Sequence, residues 1–97
     1  MKKCITIISM LATCFVFADN ENYDGQDVSG KSFYSSCKNS SWIGATAVDT
    51  WFQADLTNAN FTNANLSKAR FSGTKINVTD AIFTNANLSG ANFYEVE

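Results

Sequence analysis

From Ala54 the chain reads in blocks of five: Ala54-Asp55-Leu56-Thr57-Asn58, Ala59-Asn60-Phe61-Thr62-Asn63, Ala64-Asn65-Leu66-Ser67-Lys68 and Ala69-Arg70-Phe71-Ser72-Gly73. Two extra residues follow, Thr74 and Lys75. The fives then resume as Ile76-Asn77-Val78-Thr79-Asp80, Ala81-Ile82-Phe83-Thr84-Asn85, Ala86-Asn87-Leu88-Ser89-Gly90 and Ala91-Asn92-Phe93-Tyr94-Glu95. The first position is Ala in seven of eight blocks, and the third is Leu, Phe or Val in all eight. This is neither the 3.6-residue period of a helix nor the two-residue alternation of a long strand. Such self-similarity marks a repeat architecture, in which each unit buries its apolar face against its neighbours.

The segments Phe61–Phe71 and Phe83–Phe93 agree at nine of eleven positions, at an offset of 22 residues. That offset is four blocks plus the two extra residues. A coil built from four blocks would stack Phe61 on Phe83, Leu66 on Leu88 and Phe71 on Phe93, with Thr74-Lys75 as a bulge at one corner.

These blocks resemble the pentapeptide-repeat family, whose pattern is A-[D/N]-L/F-x-x. The resemblance implies an all-β fold, a right-handed quadrilateral β-helix with one pentad on each of its faces. It assigns Ala54, Ala59, Ala64, Ala69, Ile76, Ala81, Ala86 and Ala91 as small inward residues. Leu56, Phe61, Leu66, Phe71, Val78, Phe83, Leu88 and Phe93 would fill the centre. Ile76 departs from the small-residue rule directly after the insertion, where the coil is expected to be distorted.

Upstream the pattern fades. Gln26-Asp27-Val28-Ser29-Gly30 and Lys31-Ser32-Phe33-Tyr34-Ser35 fit loosely, and Ser36-Cys37 breaks step. Ser40-Ser41-Trp42-Ile43-Gly44 and Ala45-Thr46-Ala47-Val48-Asp49 fit a shifted register, which Asp49-Thr50-Trp51-Phe52-Gln53 overlaps by one residue. Residues 26–53 therefore read as degenerate coils or as a cap for the array at 54–95. A cap has a physical purpose, because the end of a β-helix exposes strand edges and an open core. Burial of eight central side chains falls short of the entropy lost in ordering the array. Residues 26–53 must then join the core, or the chain must associate. A homodimer through the C-terminal coil is one expectation.

The N-terminus begins Met1-Lys2-Lys3, continues with a mostly apolar run from Cys4 to Phe17, and reaches Ala18 before the polar Asp19-Asn20-Glu21-Asn22. A basic start, a short apolar run and small residues at Val16 and Ala18 read as a secretory leader cleaved after Ala18. At about 1.5 Å per residue the run falls short of the ~30 Å hydrocarbon core. Lipidation at Cys14 is a rival, although Thr13 fits a lipobox poorly. This gives a leader at 1–18, a polar linker at 19–25, and an exported product, periplasmic or extracellular, not held in a membrane.

Removing the leader leaves five positive residues (Lys31, Lys38, Lys68, Arg70, Lys75) against nine negative ones, a net charge of −4. That argues against nucleic-acid binding. Only Cys37 then remains, so no intrachain disulfide is expected. It reads as a buried apolar residue before an intermolecular disulfide or a nucleophile. Histidine is absent, which removes His metal sites, Ser-His-Asp triads and a base for Cys37. No nucleotide-binding or hydrolase motif occurs, and no catalytic residue, cofactor or metal is expected. The triplets at Asn39, Asn60, Asn65, Asn77 and Asn87 look like glycosylation acceptors, but most follow automatically from an Asn-apolar-Ser/Thr pentad.

The reading that results is a non-enzymatic scaffold for an unidentified protein partner. Some pentapeptide-repeat proteins mimic DNA and act as topoisomerase decoys. This chain departs from them in its modest charge, its mid-array Lys68, Arg70 and Lys75, and its leader. A carbohydrate-binding module is a third reading, favoured if exposed Trp42 and Trp51 border a groove.

Overall fold

A computed structural model describes residues 13–14, 19–74 and 76–94. The fold is set by the last residue of each block. Positive φ angles occur at Asn20, Gly25, Gly30, Asn39, Gly44, Asp49, Asn58, Asn63, Lys68, Gly73, Asp80, Asn85 and Gly90, each closing a block. Glycine, Asn and Asp tolerate this left-handed conformation best, which is why they dominate the fifth position. Most corners are closed by a main-chain bond back to the central residue. Ala59 N–H donates to Leu56 O at 2.9 Å, and Ala64 N–H to Phe61 O at 3.0 Å. The chain therefore runs straight for a few residues and then turns sharply.

The straight pieces stack in parallel. Strands β1 (Thr13–Cys14), β2 (Ser32–Ser36), β3 (Trp51–Asp55), β4 (Arg70–Phe71) and β5 (Asn92–Phe93) form one sheet in that order. Phe33 pairs with Phe52, Phe52 with Phe71, and Phe71 with Phe93. Single bridges extend the ladder around the coil: Asn22 to Ser41 to Asn60 to Ile82, Asp27 to Thr46 to Asn65 to Asn87, and Asp55 to Asn77. The described residues hold no helix.

Successive coils are offset by 19 residues from Phe33 to Phe52 and from Phe52 to Phe71, but by 22 from Phe71 to Phe93. The difference lies at one corner. In β2 and β3 the chain bends from Phe33 to Cys37, and from Phe52 to Leu56, within a continuous strand and without a turn. The alternating burial along Trp51–Asp55 shows Phe52 and Ala54 pointing inward and Gln53 outward. In the next coil the same corner carries Gly73 and Thr74 before Ile76. Gly73 has φ +113°, and a Cβ there would lie 2.9 Å from Gln53 Oε1. The φ value is what calls for glycine, and a larger residue would also have to displace the end of the Gln53 side chain.

This geometry corrects two expectations. Lys31–Tyr34 and Thr50–Gln53 are four-residue blocks, so the overlap at Asp49 does not exist. Residues 19–25 are not a linker, because Glu21-Asn22-Tyr23-Asp24-Gly25 is a block of the first coil. Tyr23 is buried, Asn22 bridges Ser41, and Gly25 N–H donates to Ile43 O at 3.0 Å. The stretch looks polar because Tyr23 is the block's central inward residue. Residues 26–53 lie on the coil throughout. The leader and Ala18 lie outside the described residues, save for the backbone of Thr13–Cys14, which pairs with β2.

Two columns of stacked rings fill the interior. Tyr23, Trp42, Phe61 and Phe83 form one, with centroids 4.2, 5.4 and 5.2 Å apart. Phe33, Phe52, Phe71 and Phe93 form the other, at 5.6, 5.0 and 4.5 Å. The columns meet edge to face, as between Trp42 and Phe52 (5.2 Å, 87°), an arrangement aromatic quadrupoles favour. Val28, Ala47, Leu66 and Leu88 follow one another on a third side; Cys37, Leu56 and Val78 do so on the fourth. Ala54, Leu56, Ala59, Phe61, Ala64, Leu66, Ala69, Phe71 and Ile76 are buried. Val78, Ala81, Phe83, Ala86, Leu88 and Ala91 are half-buried, and Phe93 is 43% exposed. These lie in the last described coil, which has no rung above it among the described residues. Ile76 stands one rung above Ala54 in the alanine row and is itself buried.

Phe52 lies between two stacked neighbours, so Phe52→Ala should cost roughly 3–5 kcal/mol. Phe93→Ala should cost well under half as much. Urea denaturation of both variants measures the difference.

Candidate functional site

The polar residues of each block have structural work that accounts for their spacing. In seven blocks the second-position Asn or Asp accepts from the fourth residue. Asn60 Oδ1 takes Thr62 N–H at 3.0 Å and the Thr62 hydroxyl at 2.5 Å, and Asn65, Asn77 and Asp55 hold Ser67, Thr79 and Thr57 in the same way. Asn87 takes Ser89 N–H at 3.0 Å. This is an Asx turn, which fixes the approach to the corner. The Asn-x-Ser/Thr triplets at Asn60, Asn65, Asn77 and Asn87 are therefore corner braces.

In three blocks whose second position lacks Asn or Asp, a side chain of the rung below supplies the acceptor. Ser41 replaces the Asx residue in one block, and Ile43 N–H donates instead to Asp24 Oδ1 at 2.8 Å. Ser36 does so in another, and Lys38 N–H donates to Asp19 Oδ1 at 2.9 Å. Val48 N–H is likewise taken by Ser29 Oγ at 3.0 Å. The first coil is thus tied to the second by side chains as well as by backbone. Asn58 also donates to Asn39 Oδ1 at 3.2 Å across a corner.

The interior holds no accessible chemistry among the described residues. Cys37 is fully buried, and its thiol is pushed up to about 12 by burial, with the Asp19 and Asp55 charges adding to the effect. It is a packing residue at neutral pH. Burial also raises the Tyr23 phenol well above its usual value, with Cys37 and Glu21 contributing. Trp42, a candidate surface residue, is instead wholly enclosed. Its Nε1–H donates to Ser40 Oγ at 2.8 Å, and Ser40 Oγ donates in turn to Cys37 O at 2.6 Å. No group of His, Cys, Asp or Glu suited to a metal occurs among the described residues.

Two of the outer faces differ from the Asn, Ser and Thr background. Ile43 is 39% exposed and Ile82 is 44% exposed, both at outward positions of one face. On the opposite side of the coil, β2 to β5 present two outward rows: Ser32, Trp51, Arg70 and Asn92, and beside it Tyr34, Gln53, Ser72 and Tyr94. The Arg70 guanidinium lies 4.7 Å from the Trp51 ring centroid, and Trp51 Nε1–H donates to Ser72 Oγ at 2.9 Å. The Lys38–Asp55 pair, at 3.8 Å, sits on a neighbouring face and is largely solvated.

Residues 56–97 match the family model of pentapeptide repeats (9 copies). Among solved structures, the chain is similar to a pentapeptide repeat protein from the thylakoid lumen of Arabidopsis thaliana. The identity is 26% and the TM-score 0.38, over 82% of this chain and 66% of that one. No curated protein matches the chain.

Corner bracing carries a pH dependence. Hydrogen bonds from Ser29 hold the Asp27 carboxyl below its usual range, and Lys31 adds to this. A depressed folded pKa stabilises above the unfolded value of about 4 and is lost as pH falls through the folded value. Thermal melts between neutral and acidic pH should therefore fall more steeply for the natural chain than for Asp27→Asn, which keeps the acceptor without the titration.

Proposed function

We propose that the chain is an exported, non-enzymatic pentapeptide-repeat scaffold that holds a protein partner against one outer face. The observation that carries this reading is the exposure of Ile43 and Ile82. Both stand at outward positions where neighbouring blocks place Asp, Asn, Ser or Thr, and an apolar side chain set among polar ones can enter the dry centre of a protein contact. A stiff coil braced at its corners presents such anchors at fixed spacing, so little entropy is lost in ordering them on binding.

Export is supported by the basic, apolar and small-residue order of residues 1–18. It places the chain outside the cytoplasm with Asp19 as its first residue. Among the described residues no helix is long and apolar enough to cross a membrane.

The test is expression in a bacterial host with a photo-crosslinking residue at Thr62, on the same face as Ile43. A product starting at Asp19, recovered outside the cytoplasm, should give a discrete heavier adduct that Ile43→Asp abolishes. An uncleaved cytoplasmic product would remove the export claim, and absence of an adduct would remove the contact.

A further inference from the structure

The two ends of the coil differ. At the first, β1 pairs with the lower edge of β2, and the inward residues Tyr23, Val28, Phe33 and Cys37 are buried. At the other, β5 is the edge strand of the sheet. Among the described residues four large apolar side chains are exposed, and three stand on this last coil: Ile82 (44%), Phe93 (43%) and Tyr94 (65%). Val78, Phe83 and Leu88 beside them are half-open.

The main chain is incomplete at the same end. One rung lower, Ala59 O accepts from Ile82 N–H at 2.8 Å, and Phe61 N–H donates to Ile82 O at 2.7 Å. Ala64 O and Leu66 N–H bond Asn87 in the same way, at 2.9 and 2.8 Å. The groups that repeat these on the last coil are Ala81 O, Phe83 N–H, Ala86 O and Leu88 N–H. They have no rung-to-rung partner among the described residues, and such an edge templates a further strand. We propose that the last coil docks end to end on the last coil of a second copy, about a two-fold axis through Ile82, to give a closed dimer.

Three features select that occupant. The edge is complementary to itself. Strands related by the two-fold axis run antiparallel, so a carbonyl and an N–H two residues apart can meet the N–H and carbonyl of the other copy. Ala81 O and Phe83 N–H flank Ile82 in that way. The two copies of Ile82 then face each other about 4.5 Å apart at Cα, and the aliphatic residue that breaks the polar pattern is buried against its own equivalent. The same axis, crossing to the opposite face, sets Asn92 and Phe93 toward their own copies. The end is also nearly uncharged. Asp80 is the one charged residue among the described residues 76–94, whereas the first coil carries Asp19, Glu21, Asp24 and Asp27. Finally, a head-to-tail stack would need the lower edge of β2, which β1 holds. One coil end is small beside the roughly 1,200–2,000 Å² of a standard interface, so micromolar dissociation is expected. The inference rests neither on export nor on the contact at Ile43, which lies two rungs lower and stays open.

Sedimentation velocity of the purified full chain, from low micromolar to several hundred micromolar, should move from monomer to dimer and stop there. Ile82→Asp sets two carboxylates face to face and should weaken the dimer about tenfold or more; Ile43→Asp should leave it unchanged. Ile82→Cys should give a disulfide-linked dimer on mild oxidation, because the facing residues meet the Cα spacing a disulfide needs. Ile43→Cys should not, nor should the natural chain with its own cysteines. Residue 82 is outward and exposed, so these variants keep the fold, which far-UV circular dichroism checks. A monomer at every concentration overturns the proposal. So does growth beyond the dimer, the mark of head-to-tail stacking. It also fails if folded Ile82→Asp associates like the natural chain, or if Ile82→Cys cross-links no better than Ile43→Cys.

Discussion

Everything in this molecule rests on the main-chain hydrogen bonds between one rung and the next. Trp42 N–H reaches Asn60 O at 2.7 Å, Phe61 N–H reaches Ile82 O at 2.7 Å, and Leu66 N–H reaches Asn87 O at 2.8 Å. These bonds fix the distance between rungs at the parallel-strand spacing of about 4.8 Å. Aromatic rings stacked on that spacing are already near their preferred separation. The interior columns are thus a consequence of the ladder, and need no complex packing code. Left-handed residues make most of the corners and a strand bend makes the others, and together they keep equivalent residues in register.

One consequence is that stability is distributed along the axis. Each coil contacts mainly its neighbours, as in other solenoids, so interior rungs are enclosed while terminal rungs are not. Phe61 and Phe71 are fully buried, yet their stacked equivalents Phe83 and Phe93 remain partly open. Side chains reinforce the ladder where the local brace is missing. Asp19, Asp24 and Ser29 reach upward from the first coil to serve amides of the second. The outward polar residues are largely occupied in this way, which leaves the exceptions, Ile43, Ile82 and the Trp51–Arg70 pair, as the surface features that need another explanation.

Much of the array was legible because its period is regular. The stacking of Phe61 on Phe83 and of Phe71 on Phe93 followed from one offset, and both pairs are within 5.2 Å. The upstream coils were hidden by a simple device. A corner made by bending a continuous strand uses four residues, so the pattern slips between Phe33 and Cys37 and again between Phe52 and Leu56. A reader who expects fives sees decay where the coil is intact. Tyr23 was masked differently, since its neighbours Asn22, Asp24 and Gly25 are all outward or at a corner. Trp42 sits at the centre of a recognisable block, but its size suggested the surface. The buried Ser40 hydroxyl that accepts its indole N–H makes burial affordable. The surface pairing of Trp51 with Arg70 had no sequence signal short of knowing the 19-residue offset.

The interior is chemically quiet among the described residues, and the outer faces carry unlike side chains. The central claim beneath that view is the register, 19 residues for the early coils and 22 for the last. Ring-proton NOEs in a sample with labelled phenylalanine test it most directly. The account predicts cross-peaks for Phe33–Phe52, Phe52–Phe71, Phe71–Phe93 and Phe61–Phe83. A uniform 20-residue coil would instead set Phe33 against Gln53 and leave the first two pairs silent, and that result would contradict the fold described here.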